Sequence, residues 1–264
     1  MLALLRPEPA GTEDANALSA AGIQAMSLPM LEIRPALPDD IATQIAQASH
    51  LVFTSQAAIA AITARDDARN DTSTKNRDGS DSLFAGKACF CAGAATARAA
   101  KQAGLMPLET SAGNAGELAE EISSAFSHPD KQIQAAPRLL WLSAETVGRD
   151  LVALLQARNI RLDRQVVYAA DAVTSLSDEV RHLIASDQIN AVLALSSRTL
   201  KIFQQLLTRY GLWHHHRQMH LIAGSEQIIA SVTSDFATMR VINPAASQGY
   251  LAQLTGIFNS LPDS

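Results

Sequence analysis

The sequence predicts an α/β protein of two similar lobes, each a parallel sheet flanked by helices. Three observations lead there. Short β-rich runs alternate with amphipathic segments through nearly all of the 264 residues, as parallel strands joined by helical crossovers do. Aromatic residues are 5% of the chain against 47% hydrophobic, so the core is filled mainly by Ala, Leu, Ile and Val, which suits close helix-on-sheet packing. One strand-helix pattern also occurs twice, once in each half.

The expected strands are residues 3–5, 50–54, 88–92, 106–109, 138–143, 165–169, 191–195, 220–224 and 240–243, each a short, largely apolar run. Between them, Val147, Leu151, Leu154 and Leu155 recur at helical spacing, as do Leu176, Val180, Leu183 and Ile184, and Leu118, Ile122 and Phe126. Each set falls on one helix face. Residues 65–82 break the alternation: Ala68 is their only apolar residue amid nine charges of both signs. Such a segment buries too little to offset ordering and reads as a flexible polar insert.

The net charge of −5 and the absence of a basic tail remove the field that non-specific nucleic-acid binding needs, so no nucleic-acid partner is expected. Cys89 and Cys91 lie two apart in an apolar run, on one face of a strand, where they form no normal bridge with each other. With no signal-peptide pattern before Arg6-Pro7, the chain reads as reduced and cytoplasmic. The uncharged stretches 15–31 and 241–262 are interrupted by Asn, Ser, Gln, Gly or Pro, and no membrane association is expected.

The repeat locates the candidate chemistry. A run ending at Ser55 precedes a helix, and a second ending at Gly93 opens another; Ser196 and Gly224 do the same in the other half. The intervals are 38 and 28 residues, and the polar insert lies within the longer one. Ligands of open parallel sheets collect beyond the carboxyl ends of strands, where helix starts present unpaired N–H groups suited to carboxylates. Ser55, Gly93, Ser196, Ser197, Gly224 and Ser225 sit at such junctions, although Ser and Gly also serve there simply as cap and turn residues.

Two further residues carry two readings each. Tyr168 is either a half-buried packing residue or a hydroxyl donor into a cleft between lobes. Arg6 is either one half of a surface ion pair or a carboxylate clamp. Gly93–Ala97 lacks the spacing of a dinucleotide loop, and no nucleophile elbow is present. The only histidine cluster, His214-His215-His216, splays in different directions and reads as a solvated loop. No metal and no cofactor are therefore expected.

Several motifs then converge. Leu4-Leu5-Arg6-Pro7-Glu8-Pro9, Phe53-Thr54-Ser55-Gln56-Ala57-Ala58-Ile59, Ala92-Gly93-Ala94-Ala95-Thr96-Ala97 and Val167-Tyr168, in this order and spacing from residue 2 to about 258, resemble the uroporphyrinogen-III synthase family. Three places depart from its pattern: Leu5 before Arg6-Pro7, Leu142-Ser143-Ala144-Glu145 where a glycine is usual, and Gly224-Ser225-Glu226 in place of Gly-x-x-Thr-Ala.

The resemblance implies two lobes joined by a two-stranded antiparallel linker. Residues 1–33 and 172–264 would form one lobe and 38–164 the other, with 34–37 and 165–171 linking them and the linker strands running over 31–35 and 166–170. It further implies the substrate hydroxymethylbilane, an open tetrapyrrole with eight carboxylates, closed with loss of water and inversion of the terminal ring. No cofactor or metal is implied. Tyr168 becomes the candidate catalytic proton donor at the hinge. Arg6, Ser55, Gly93, Thr96, Ser196, Ser197, Gly224, Ser225 and Ser247 become the candidate substrate-binding residues. A monomer in transient contact with hydroxymethylbilane synthase is the expected state. The rival is a two-lobed small-anion binding protein without catalysis.

Overall fold

The computed structural model describes residues 1–70, 83–84, 86–108, 112–127, 137–232, 236–243 and 250–260. The chain begins with β1 (Leu2–Leu4), α1 (Ala10–Ala20), β2 (Ala25–Ser27), β3 (Leu31–Pro35), α2 (Ile41–Gln47), β4 (His50–Phe53) and α3 (Gln56–Asn70). It continues through β5 (Ala88–Cys91), α4 (Ala94–Gln102), β6 (Met106–Pro107), α5 (Ala115–Ser127), β7 (Leu139–Ala144), α6 (Leu151–Gln156) and β8 (Leu162–Ala172). It closes with α7 (Asp178–Ala185), β9 (Ala191–Ala194), α8 (Ser197–Arg209), a 3-10 helix (Trp213–Gln218), β10 (His220–Ala223), α9 (Glu226–Ala230), β11 (Thr238–Val241) and α10 (Tyr250–Asn259).

Two compact units result, Met1–Ile33 with Asp171–Ser264, and Arg34–Ala170. Among the described residues the strands form two sheets, ordered β11-β10-β9-β1-β2 and β3-β8-β7-β4-β5-β6. The first sheet is parallel throughout. In the second, β4, β5, β6, β7 and β8 run parallel. β3 lies beside β8, where Ala36 N donates to Val167 O and Val173 N to Met30 O, the descending register of an antiparallel pair. The two orders correspond strand for strand, with β9, β10 and β11 standing where β4, β5 and β6 do, and β1 and β2 where β7 and β8 do.

The central strands LAL, AVLA and HLIA are buried along their whole length, as parallel strands covered on both faces must be. Helix α8 packs Leu200, Phe203, Leu206 and Leu207 onto the first sheet, all of them fully or nearly fully buried. On the second sheet, Leu118 and Ile122 of α5 and Leu151 and Leu155 of α6 cover Trp141. No helix among the described residues is long and apolar enough to cross a membrane.

Several expectations shift. Val147 lies outside α6, because the Asp150 carboxylate accepts from Val152 N and Ala153 N at 3.0 and 3.3 Å and starts the helix there. The polar segment 65–82 opens as the last turns of α3, and its residues 71–82 lie outside the described chain. Strand β2 was not anticipated, since three residues carry too little periodicity. The histidine cluster is not a solvated loop: it forms the 3-10 helix, with His216 fully buried between Trp213 and Phe236 and His215 paired to Asp187 at 2.7 Å. A leucine and a tryptophan flanking three histidines carry more apolar surface than the histidines' polarity suggests.

Several groups make stability depend on pH with the same sign, His220 and Glu8 among them. His220 is buried in β10, its Nδ1 2.8 Å from Thr238 Oγ1, and burial pushes its imidazolium below the ordinary value. The unfolded chain therefore takes up that proton first, and stability falls as pH drops below about 6.5. Burial raises Glu8, but hydrogen bonds from the Ser27 hydroxyl and Thr12 outweigh it and hold the carboxyl below its ordinary value. Its contribution is complete above about 4.3 and is lost as pH falls through the folded-state value. Tm is expected to decline on acidification in two stages, the upper one shrinking in His220→Gln. A Tm independent of pH between 7 and 5 in the unaltered chain contradicts this.

Candidate active site

In each sheet the connections run outward in both directions from one pair of adjacent strands, and the crevice at the carboxyl end of that pair is where a parallel α/β sheet takes its ligand. In the first sheet the pair is β9 and β1, followed by Ser196 and Arg6. In the second it is β4, followed by Ser55, and β7, which ends in Ser143-Ala144 and is followed by Glu145. The repeated serines thus stand at equivalent points of the two sheets.

The second sheet carries the more elaborate arrangement. Ser143 pairs with Val166 and Ala144 with Tyr168, so Val167 is an extra residue and β8 bulges beside the end of β7. A bulge re-aims the side chain that follows it. Tyr168, 7% exposed, lies near Ser55. Burial raises the phenol above its ordinary value, and the nearby Ser55 side chain offsets part of that rise. Ser55 Oγ accepts from Ala57 N at 3.1 Å, which ties its side chain to the start of α3. The backbone is tied as well, with Glu145 N donating to Tyr168 O at 2.8 Å.

The other candidates divide. Gly93 sits at φ 82 and ψ 145, a backbone region almost reserved for glycine and costing other residues about 1–3 kcal/mol. Its N–H donates to Ala112 O at 2.6 Å, and that of Gly224 to Ala194 O at 3.0 Å. Both glycines therefore shape their turns and have no N–H left for an anion. Thr96 is buried on α4. Ser196 caps α8 by accepting from Thr199 N at 3.2 Å, with Ser197 half-buried beside it. Ser225 precedes α9 and makes no side-chain cap bond. Arg6 is ion-paired with Asp14 of α1. Ser247 lies outside the described residues.

Residues not singled out in the sequence hold this site together. Trp141 Nε1 donates to Thr54 Oγ1 at 3.3 Å, next to Ser55. The Arg164 guanidinium lies 5.3 Å from the centre of the Trp141 ring. Its signal was a cation beside Asp163 on the strand leading to Tyr168. No group of three or more His, Cys, Asp or Glu capable of holding a metal ion occurs among the described residues.

This geometry can be set beside known proteins. No curated protein matches the chain by sequence. Among solved structures, it resembles the uroporphyrinogen-III synthetase of Helicobacter pylori, with 12% identity, 97% of this chain and 98% of that one covered, and a TM-score of 0.58. It also resembles a mutant uroporphyrinogen III synthase of Thermus thermophilus, with 13% identity, 98% and 97% covered, and a TM-score of 0.51. At such identities these likenesses speak to the fold. The family model for uroporphyrinogen-III synthase HemD matches residues 13–245, most of the chain, and with both sheets and the expected motifs in place the chain belongs to the uroporphyrinogen-III synthase family.

Proposed function

We propose that the Tyr168 hydroxyl is the proton donor with which this enzyme expels water from hydroxymethylbilane. Members of the family, this chain included, are cyclising lyases of tetrapyrrole synthesis: they close that open tetrapyrrole with inversion of its terminal ring. Departure of the substrate hydroxyl as water leaves an azafulvenium cation. The cation attacks the substituted carbon of the terminal pyrrole, and the spiro intermediate fragments and recloses with that ring inverted. The proton given at the first step returns when the last pyrrole becomes aromatic.

The observation that carries this reading is the pairing of Tyr168 with Ser55 at the β4–β7 end of the sheet. Burial keeps the phenol protonated at neutral pH, so it holds a proton to donate. Donation then accompanies cleavage of the carbon–oxygen bond. The polycarboxylate chain is held, in the same proposal, by Ser55, Thr96, Ser196, Ser197, Ser225 and Ser247, on turns shaped by Gly93 and Gly224, with Arg6 as a charge oriented by Asp14. Holding the reacting ends in one geometry is worth several kcal/mol and suppresses closure without inversion.

Ser55→Ala removes the hydroxyl near Tyr168 along with a helix-start bond, and is expected to lower kcat for the inverted product by about threefold to tenfold, the range that the loss of one ordinary polar contact gives. Turnover equal to that of the unaltered chain contradicts the pairing's role. A cytoplasmic monomer that receives its unstable substrate from hydroxymethylbilane synthase completes the proposal; sedimentation of the purified chain, alone and with that enzyme, tests its last two parts.

A further inference from the structure

The sequence departs from the family at Ser143-Ala144-Glu145, where a glycine is usual, and the structure places an unexpected partner there. Arg164 of β8 reaches across to the end of β7: Nε donates to Ser143 Oγ, and Nη2 donates to both Ala144 O and Glu145 O, each at 2.8 Å. Its guanidinium also lies against the Trp141 ring. Among the described residues the non-glycine positions with positive φ are Asn159 and Asp187, so the turn needs no glycine conformation at 143–145. What it needs is something to satisfy two successive carbonyls, and Arg164 does that.

These contacts close around Tyr168. Ser143 and Ala144 flank the register shift opposite Val166 and Tyr168, and Glu145 returns a backbone hydrogen bond to Tyr168 O. Trp141, under the guanidinium, bonds Thr54, whose neighbour Ser55 lies near the Tyr168 side chain. The tyrosine is thus held at its backbone through the β7 end, with Ser55 of the β4 end nearby.

We propose that Arg164 is a positioning residue for the cyclisation: by clamping the end of β7 it sets the bulge that delivers the Tyr168 hydroxyl to Ser55. The proposal rests on the Tyr168 reading above. Arg164 is itself exposed and acts through its neighbours, with no substrate contact required. A planar fork with donors on two edges can hold three acceptors of a turn, and a lysine ammonium cannot match that geometry.

A double-mutant cycle on the full chain tests it, with Arg164→Ala, Tyr168→Phe and the pair, read as kcat and KM for the inverted product. Arg164→Ala is expected to lower kcat by about tenfold with KM within about twofold, since misplacement of a reacting group affects chemistry more than binding. In the Tyr168→Phe background it should add less than about twofold, because its effect passes through the hydroxyl already removed. The alkaline limb of its pH profile should move to lower pH as water reaches the phenol, which a purely structural loss would not do.

The failures are distinct. If Tyr168→Phe slows turnover but Arg164→Ala does not, or if the two losses multiply in the pair, Arg164 does not act through Tyr168. If Tyr168→Phe leaves kcat unchanged, the donor reading itself falls and the positioning role falls with it. Should Arg164→Ala not fold, Arg164→Lys and Ser143→Ala carry the decision: reduced kcat in both supports the clamp, and unaltered kcat in both overturns it.

Discussion

Tyr168→Phe should lower kcat for the inverted product at least about tenfold, or about 1.4 kcal/mol in the barrier, with little change in stability. The substitution deletes one oxygen from a buried ring and leaves its packing in place. The Ser55 hydroxyl keeps the bond from Ala57 N. KM should change little, since a donor engaged only as the carbon–oxygen bond breaks contributes to the transition state and not to the ground state. Steady-state turnover and a thermal melt on the same preparation separate the two effects. An unchanged rate with an unchanged Tm would remove Tyr168 from the chemistry and leave it as a packing residue.

The largest effect on stability is expected from Trp141→Ala, at about 3–5 kcal/mol. Trp141 is 1% exposed on β7, covered by Leu118, Ile122, Leu151 and Leu155, and no smaller side chain fills that space. Its loss also removes the surface under Arg164 and the bond to Thr54 Oγ1. Trp141→Phe keeps most of the apolar area and loses chiefly the Nε1 bond, at a cost of about 1 kcal/mol. Urea denaturation of the two variants gives the difference directly. Equal midpoints for Trp141→Ala and the unaltered chain would contradict the packing described.

The α/β architecture was legible because its central strands are short apolar runs, such as residues 191–194 and 220–223, set among helical stripes such as Leu176, Val180, Leu183 and Ile184. The duplicated Ser and Gly junctions were legible for the same reason, each being a turn residue at the end of such a run. Helix starts were less so: Val147 fits the periodicity of α6, and only the Asp150 carboxylate decides that the helix begins after it. His216 was misread because burial depends on what packs from elsewhere, here Phe236, and not on the polarity of its neighbours.

The candidate site was legible in part. Ser55 and Tyr168 were both singled out, 113 positions apart, but their proximity depends on β4, β7 and β8 lying side by side. The bulge at Val167 leaves no mark in sequence, since Val166-Val167-Tyr168 reads as unbroken strand. Arg164 escaped for a related reason: its acceptors are mostly backbone carbonyls of another strand, which no side-chain pattern announces. Gly93 and Gly224 were expected to offer N–H groups, and the structure instead engages those groups within the sheet and its loops.

The central claim is that this chain controls how the tetrapyrrole closes. Freshly made hydroxymethylbilane, incubated with the chain at neutral pH, oxidised and resolved by chromatography, reports that control as the ratio of type III to type I porphyrin. The chain should give predominantly type III, against type I in buffer alone. Type I alone in both samples, with the chain folded, would leave only a protein that binds the substrate's carboxylates without turning it over.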